Sequence, residues 1–229
     1  MPLALAEAGR NIKSAAGDSI CIPEYEFLRG GVAEMKRFFV FFLFLLFAST
    51  GFAEKARILM LIAPGNFRDE ELLVPKREFE NAGYKVVVVS KEKKLCRGML
   101  GAEVMPDLAL RDVNIDDYIA FVLVGGSGSV VYFEDPEVRD FALRAYKSGK
   151  VTSAICLAPV ILANAGLLDG RDATAWQGVR ADLKKKGANV KNKEVVRDGT
   201  LVTGSGPQAA KEFARQIIDE IEKAGNNAR

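Results

Sequence analysis

From residue 57 onward the sequence alternates short apolar runs with stretches of helical character, and this alternation constrains the fold more than any other feature. The run at 57–63 ends in Pro64-Gly65, as a buried strand bounded by breakers does. A helix is expected over 69–82: Asp69, Glu70 and Glu71 sit in its first turn, where the helix dipole favours acids, and Gly83 closes it. Strands are expected at 86–89 and 119–124, with an irregular hairpin excursion over 95–115 around Gly98, Gly101 and Pro106. A helix over 136–148 starts at Pro136 and stops before Gly149. The strand at 151–155 then passes through Cys156, with no loop residues, into a helical stretch at 157–163. Near the C-terminus a turn signal at Asp198-Gly199 separates Val195-Val196 from Leu201-Val202, and a helix follows over 207–224. Continuous apolar strands alternating with helices imply an α/β fold whose mostly parallel sheet is sandwiched by helices, with a small hairpin excursion.

The first 53 residues do not share this pattern. Met35-Lys36-Arg37, the apolar run at 38–48 and the small residues before Glu54 read as a secretory signal peptide over 35–53, cleaved after Ala53. The run is shorter than the roughly 20 residues of a spanning helix, so an uncleaved membrane anchor is the alternative and membrane contact is otherwise transient. Residues 1–34 carry no periodic element and read as an extension ahead of a true start at Met35; Gly30-Gly31-Val32 is codable by a purine-rich ribosome-binding stretch. On this reading the mature protein is a single domain over 54–229, exported to the periplasm or the exterior, and Cys21 is absent from it.

Charge and composition narrow the function. With 32 Lys+Arg against 30 Asp+Glu there is no basic stripe, so nucleic acid is not an expected partner. The chain has no histidine, which removes Ser-His-Asp and Cys-His hydrolase mechanisms and His-ligated zinc. Three cysteines, Cys21, Cys96 and Cys156, are too few for a disulfide framework or a Cys-only metal site. No metal or cofactor is expected, since Gly125-Gly126-Ser127-Gly128 lacks both the Lys and the spacing of a P-loop.

Cys156 is the chemically informative residue. A thiol on a tight passage from a central strand into a helix projects above the sheet edge, where ligands bind in such folds. There a helix N-terminus favours thiolate and backbone N–H groups can hold an oxyanion. The competing reading is a small buried hydrophobe. Cys96 lies at the hairpin and is expected to be an exposed, unpaired thiol.

Together the motifs resemble the ThiJ/PfpI superfamily, which includes PfpI-type proteases and the Parkinsonism-associated deglycase on a flavodoxin-like, class I glutamine amidotransferase-like fold. Ala154-Ile155-Cys156-Leu157-Ala158-Pro159 resembles its nucleophile elbow, Val124-Gly125-Gly126-Ser127-Gly128 its glycine turn, and 201–207 its C-terminal signature. Glu71, four residues before Pro75, falls where the family sets a carboxyl against the cysteine. The resemblance implies Cys156 as nucleophile or oxidisable thiol, Glu71 as its protonated partner, an oxyanion pocket from the N–H groups of Gly126 and Leu157, and Gly125 and Trp176 as pocket wall. The family's histidines fall here on Leu157 or Trp176, so protease activity is not expected. Two functions follow as expectations: a cysteine-dependent amidase, deglycase or glyoxalase-like enzyme on small carbonyl or amide substrates, or a redox-sensing or chaperone-like protein that uses oxidation of Cys156. A small-molecule substrate or oxidant, and a homodimer or higher homo-oligomer, are the expected partners.

Overall fold

The computed structural model describes residues 55–227. The extension expected at 1–34, the signal peptide expected at 35–53 with its cleavage point, and Cys21 lie outside the described residues.

β1 (Arg57–Leu61) and β2 (Gly65–Phe67) precede α1 (Asp69–Asn81). Next come β3 (Lys85–Ser90), β4 (Cys96–Gly98), β5 (Glu103–Val104), β6 (Leu108–Ala109) and β7 (Ala120–Leu123). α2 (Pro136–Lys147), β8 (Val151–Ile155) and α3 (Pro159–Asn164) follow. The chain ends with β9 (Asp172–Ala173), α4 (Arg180–Lys185), β10 (Asn189–Val190), β11 (Val195–Asp198), β12 (Leu201–Gly204) and α5 (Ala210–Asn227).

The main sheet has seven strands in the order β11-β12-β8-β7-β1-β3-β6, and all neighbours are parallel except the β11/β12 hairpin. Strand alternation divides its side chains between two cores. Ile58, Met60, Val86, Val88, Ala120 and Val122 pack with α1 and α5, whereas Leu59, Leu61, Val87, Val89, Phe121 and Leu123 pack with α2 and α3. Because both faces are covered, the central strands read as unbroken apolar runs rather than alternating ones. The tilted contact of Phe141 with Phe121, centroids 4.9 Å apart and planes at 59°, adds about 0.5–1.5 kcal/mol beyond its area. α2 starts at Pro136 because Asp135 caps it, accepting from Glu137 N–H at 2.9 Å and Val138 N–H at 3.2 Å.

From β1 the sheet grows outward to β3 and β6, then reverses to β7, β8 and β12 on the other side. The carboxyl ends of β1 and β7 therefore flank a switch point, where open α/β sheets bind ligands. Several details differ from expectation. The helix expected over 207–224 opens as a 3-10 turn at Pro207–Ala209 and runs as α5 from Ala210. Leu108–Ala109, expected inside the hairpin excursion, joins the main sheet as the edge strand beside β3. The helix after Cys156 starts at Pro159, two residues later than expected, because Leu157 and Ala158 form a turn first. Cys96 is not exposed: it is 1% accessible beneath the hairpin, and its Sγ donates to the Lys94 carbonyl at 3.3 Å. It is there because β4 pairs with β2 as well as β5, which turns its side chain into the core shared with α1.

Candidate active site

Cys156 follows the last residue of β8 directly, at φ +65°, in the left-handed region that side chains other than glycine rarely adopt. Two backbone bonds hold it there. Its N–H donates to the Gly204 carbonyl at 2.9 Å, and its carbonyl accepts from Trp176 N–H at 2.8 Å. The side chain is largely buried yet lines a cavity of about 360 Å³ together with Gly126, Leu157 and Trp176. A cavity of about 380 Å³ at the opposite end of the sheet, beside Lys55, Asp116 and Lys150, shares none of these residues.

Glu71 comes from the first turn of α1 and is fully buried. Neither carboxyl oxygen has a hydrogen-bond partner of ordinary geometry. Pro75, inside the same helix, also has no N–H to offer the Glu71 backbone carbonyl four residues back. Gly125 brings this carboxyl and the cysteine together. A Cβ at that position would stand 2.5 Å from the Ile155 carbonyl oxygen, 2.6 Å from Glu71 Oε2 and 2.7 Å from Cys156 Cβ. Only hydrogen fits there. Gly125, expected on the pocket wall, is not among the residues that line the cavity; the side chain it lacks would point into the Glu71–Cys156 contact. Gly126, at φ +96°, makes the turn that follows; a Cβ there would lie 2.5 Å from the Asn66 carbonyl oxygen.

Gly125→Ala is expected to destabilise the fold by about 1–3 kcal/mol through overpacking. Urea unfolding should show a lower midpoint at unchanged slope, and a midpoint equal to wild type would show that the carboxyl and thiol are free to separate.

The two acids perturb one another. Burial pushes the Glu71 carboxyl up from its ordinary 4.5 to about 7, against the opposing pull of the Cys156 thiol, the Arg68 charge and the Gly125 N–H. Burial, and then the negative charge of Glu71, push the Cys156 thiol up from 9.0 to about 12, while the Gly126 and Leu157 N–H groups pull it down. Thus burial outweighs the thiolate-favouring effect expected from the following helix, which is only six residues long. Between about 7 and about 12 the pair holds one proton and one negative charge.

Trp176 is 40% exposed at the pocket, and so is not a core aromatic. Arg68, Met99 and Gln208, which also line the cavity, had no part in the sequence motifs, whereas Ser127 and Pro207 lie within the glycine turn and the C-terminal signature. Arg68 had a local signal in preceding the acidic triplet. Met99 had none, since its position depends on the hairpin: its N–H donates to the Phe67 carbonyl at 2.9 Å, and the Asp69 carboxylate accepts from Leu100 and Ala102 N–H, both at 2.8 Å. Among the described residues, no group of three His, Cys, Asp or Glu side chains is placed to hold a metal.

Known proteins share this framework. An uncharacterised protein of Methanocaldococcus jannaschii is 44% identical over 173 residues, covering 74% of this chain and 84% of that one. Deglycase PfpI of Pyrococcus furiosus is 31% identical over 160 residues, covering 70% of this chain and 96% of its own. The crystal structure of a ThiJ/PfpI domain protein from Brachyspira murdochii superposes with a TM-score of 0.72 at 30% identity, covering 74% of this chain and 98% of that one. The model of the DJ-1/PfpI family matches residues 56–220, which takes in the glycine turn, the cysteine and Glu71 alike, and the chain belongs to that family.

Proposed function

We propose that the chain is a cysteine-dependent enzyme acting on small carbonyl or amide substrates, with Cys156 as nucleophile and Glu71 as proton carrier. The observation that carries this reading is the buried, unpartnered Glu71 carboxyl set against Cys156 beside the pocket. An ionised carboxylate is costly to bury, and burial outweighs the pull of the Gly125 N–H and the Cys156 thiol on Glu71, whereas the sulfur has the Gly126 and Leu157 N–H groups to favour its charge. Glu71, near 7, ionises before Cys156, near 12; the reactive form is the one in which the thiol proton has passed to Glu71 within the pair and the charge stands on sulfur, facing those two N–H groups.

A group that titrates near 7 suits proton transfer at neutral pH, so Glu71 supplies what a histidine supplies elsewhere in a chain that has none. With an amide, the sulfur bonds to the carbonyl carbon, and the π pair moves onto the oxygen, facing the two N–H groups. The carbonyl re-forms, the C–N bond breaks, and the amine leaves with the Glu71 proton. Glu71, now a carboxylate, takes a proton from the water that attacks the thioester, which releases the acid and restores the thiolate. With a 2-oxoaldehyde, Glu71 protonates the adduct and then moves the C1 proton to C2, giving a 2-hydroxy thioester for the same hydrolysis. The name of the Pyrococcus relative, a deglycase, supports this class of substrate.

The test is methylglyoxal consumption, with formation of its 2-hydroxy acid, by the full-length chain before and after blocking Cys156 with iodoacetamide. Blocking is expected to remove the activity. Equal rates before and after, or no consumption at all, would sink the enzyme reading and leave peroxide oxidation of Cys156 as the chemistry to measure.

A further inference from the structure

The pocket beside Cys156 is walled mainly by apolar side chains, and three features show that this wall is built rather than incidental. First, Trp176 is tied to the nucleophile by the bond from its N–H to the Cys156 carbonyl, 2.8 Å. Second, its indole lies against glycine at two places. A Cβ on Gly178 would stand 3.3 Å from the ring's Cδ1, and one on Gly206 would stand 3.3 Å from its Cε3. These are closer than most Cβ contacts, so both positions leave room for the ring where a larger residue would press on it. Third, Met99 reaches the pocket on a hairpin tip anchored to α1: Asp69 accepts its two N–H bonds, and a Cβ on Gly98 would stand 2.5 Å from the Asp69 carboxyl. Trp176 and Met99 remain 40% and 43% exposed, so each keeps apolar surface for a ligand to cover.

Charge adds a second selection. Among the described residues lining this cavity the one cationic side chain is Arg68, and its guanidinium is held by Glu70 through Nε at 2.8 Å and Nη2 at 3.1 Å. With that partner in place it offers little net attraction to a substrate carboxylate or phosphate. The singly charged Glu71–Cys156 pair, moreover, repels anions.

We propose that this site selects uncharged carbonyl compounds bearing an aromatic or branched apolar arm, which packs on the Trp176 indole and the Met99 thioether while the carbonyl meets Cys156. The inference deepens the enzymatic reading and rests on it for the word substrate. Its physical content is a preference of the pocket, which can be measured without turnover.

Three alkylating agents that react by the same displacement of iodide isolate that preference: iodoacetamide, N-benzyl iodoacetamide and iodoacetate. Rates at Cys156 in the full-length chain are followed by peptide mass spectrometry, which separates it from Cys21 and Cys96, and each is divided by the rate with glutathione. N-benzyl iodoacetamide is expected to react at least about tenfold faster than iodoacetamide on this scale, and iodoacetate more slowly. Trp176→Ala should bring the benzyl preference to within about threefold of unity, Met99→Ala should reduce it, and Trp176→Phe should keep most of it. These side chains are partly exposed, so the variants should stay folded, with a loss of no more than about 1–2 kcal/mol read from the unfolding midpoint. A normalised benzyl ratio near one in the wild type, or a ratio unmoved by Trp176→Ala, overturns the apolar-arm proposal. Iodoacetate reacting faster than iodoacetamide overturns its charge selection.

Turnover is scored separately with phenylglyoxal, methylglyoxal and glyoxylate. A preference for phenylglyoxal that is lost in Trp176→Ala supports the proposal as written. A benzyl preference in alkylation without consumption of any of the three compounds overturns the enzymatic reading and with it the word substrate, leaving a ligand pocket of the same specificity.

Discussion

Cys156→Ser is expected to lower carbonyl turnover by at least about 10³-fold while changing the unfolding free energy by no more than about 1 kcal/mol. The substitution keeps a nucleophilic atom of similar size at the same left-handed position, so a site that worked by geometry alone would survive it. It would not survive if the reactive species is an anion stabilised by two backbone N–H groups and a carboxylic acid. A hydroxyl is far less acidic than a thiol, so beside a carboxyl that titrates near 7 it holds its proton where the thiol can lose it, and the preformed anion is lost. The backbone bonds that hold the turn, to Gly204 and from Trp176, do not involve the side chain, which is why stability should be preserved. Methylglyoxal consumption and thermal unfolding of the same preparations test both halves. A serine variant that keeps a tenth or more of the activity would place the chemistry on another residue.

The parts of this site that the sequence made legible are those set by local geometry. The strand 151–155, the turn signal at Asp198-Gly199 and the capped start at Pro136 depend on neighbours a few positions away, and the structure places them at those residues. Cys156 stood out because a strand ran into helical sequence with no loop between. What escaped depends on partners far along the chain. β2 has only three residues, directly after a Pro-Gly breaker, and it exists because β4, some thirty residues later, pairs with it. Asp69 read as a dipole-compensating acid, yet its carboxylate is spent on the hairpin that carries Met99. Glu71 was named by the family resemblance, but the physical ground for its proposed proton transfer was not local. From composition, the absence of histidine left no group to move protons near pH 7, and only burial makes Glu71 such a group. Burial is a property of the assembled core, so no local pattern could show it.

Glu71→Gln is expected to reduce turnover by about 10²–10⁴-fold and to remove a titration from both reactivity and stability. In the wild type, alkylation of Cys156 should rise through an inflection near 7, where the pair gives up its first proton. Glutamine can donate a hydrogen bond to the sulfur but cannot exchange a proton, so that inflection should vanish and thiolate should form at the thiol's own, higher value. Glu71→Asp, which keeps the acid on a shorter arm, should restore the inflection in part. Stability supplies an independent readout. The folded pair keeps its first proton up to about 7, whereas an unfolded glutamic acid releases it near 4.5. The folded state therefore binds more protons across that window, and its stability falls as pH rises through it, by up to about 3 kcal/mol. A second, separate fall belongs between 9.0 and about 12, where the unfolded thiol ionises before the folded one. Glu71→Gln should flatten the first fall relative to wild type, whatever the amide costs in absolute stability. Unfolding midpoints at pH 5 and pH 8 for the two proteins decide it: parallel lines would mean that Glu71 titrates in the fold as it does in the open chain, and that Cys156 must find its proton partner elsewhere.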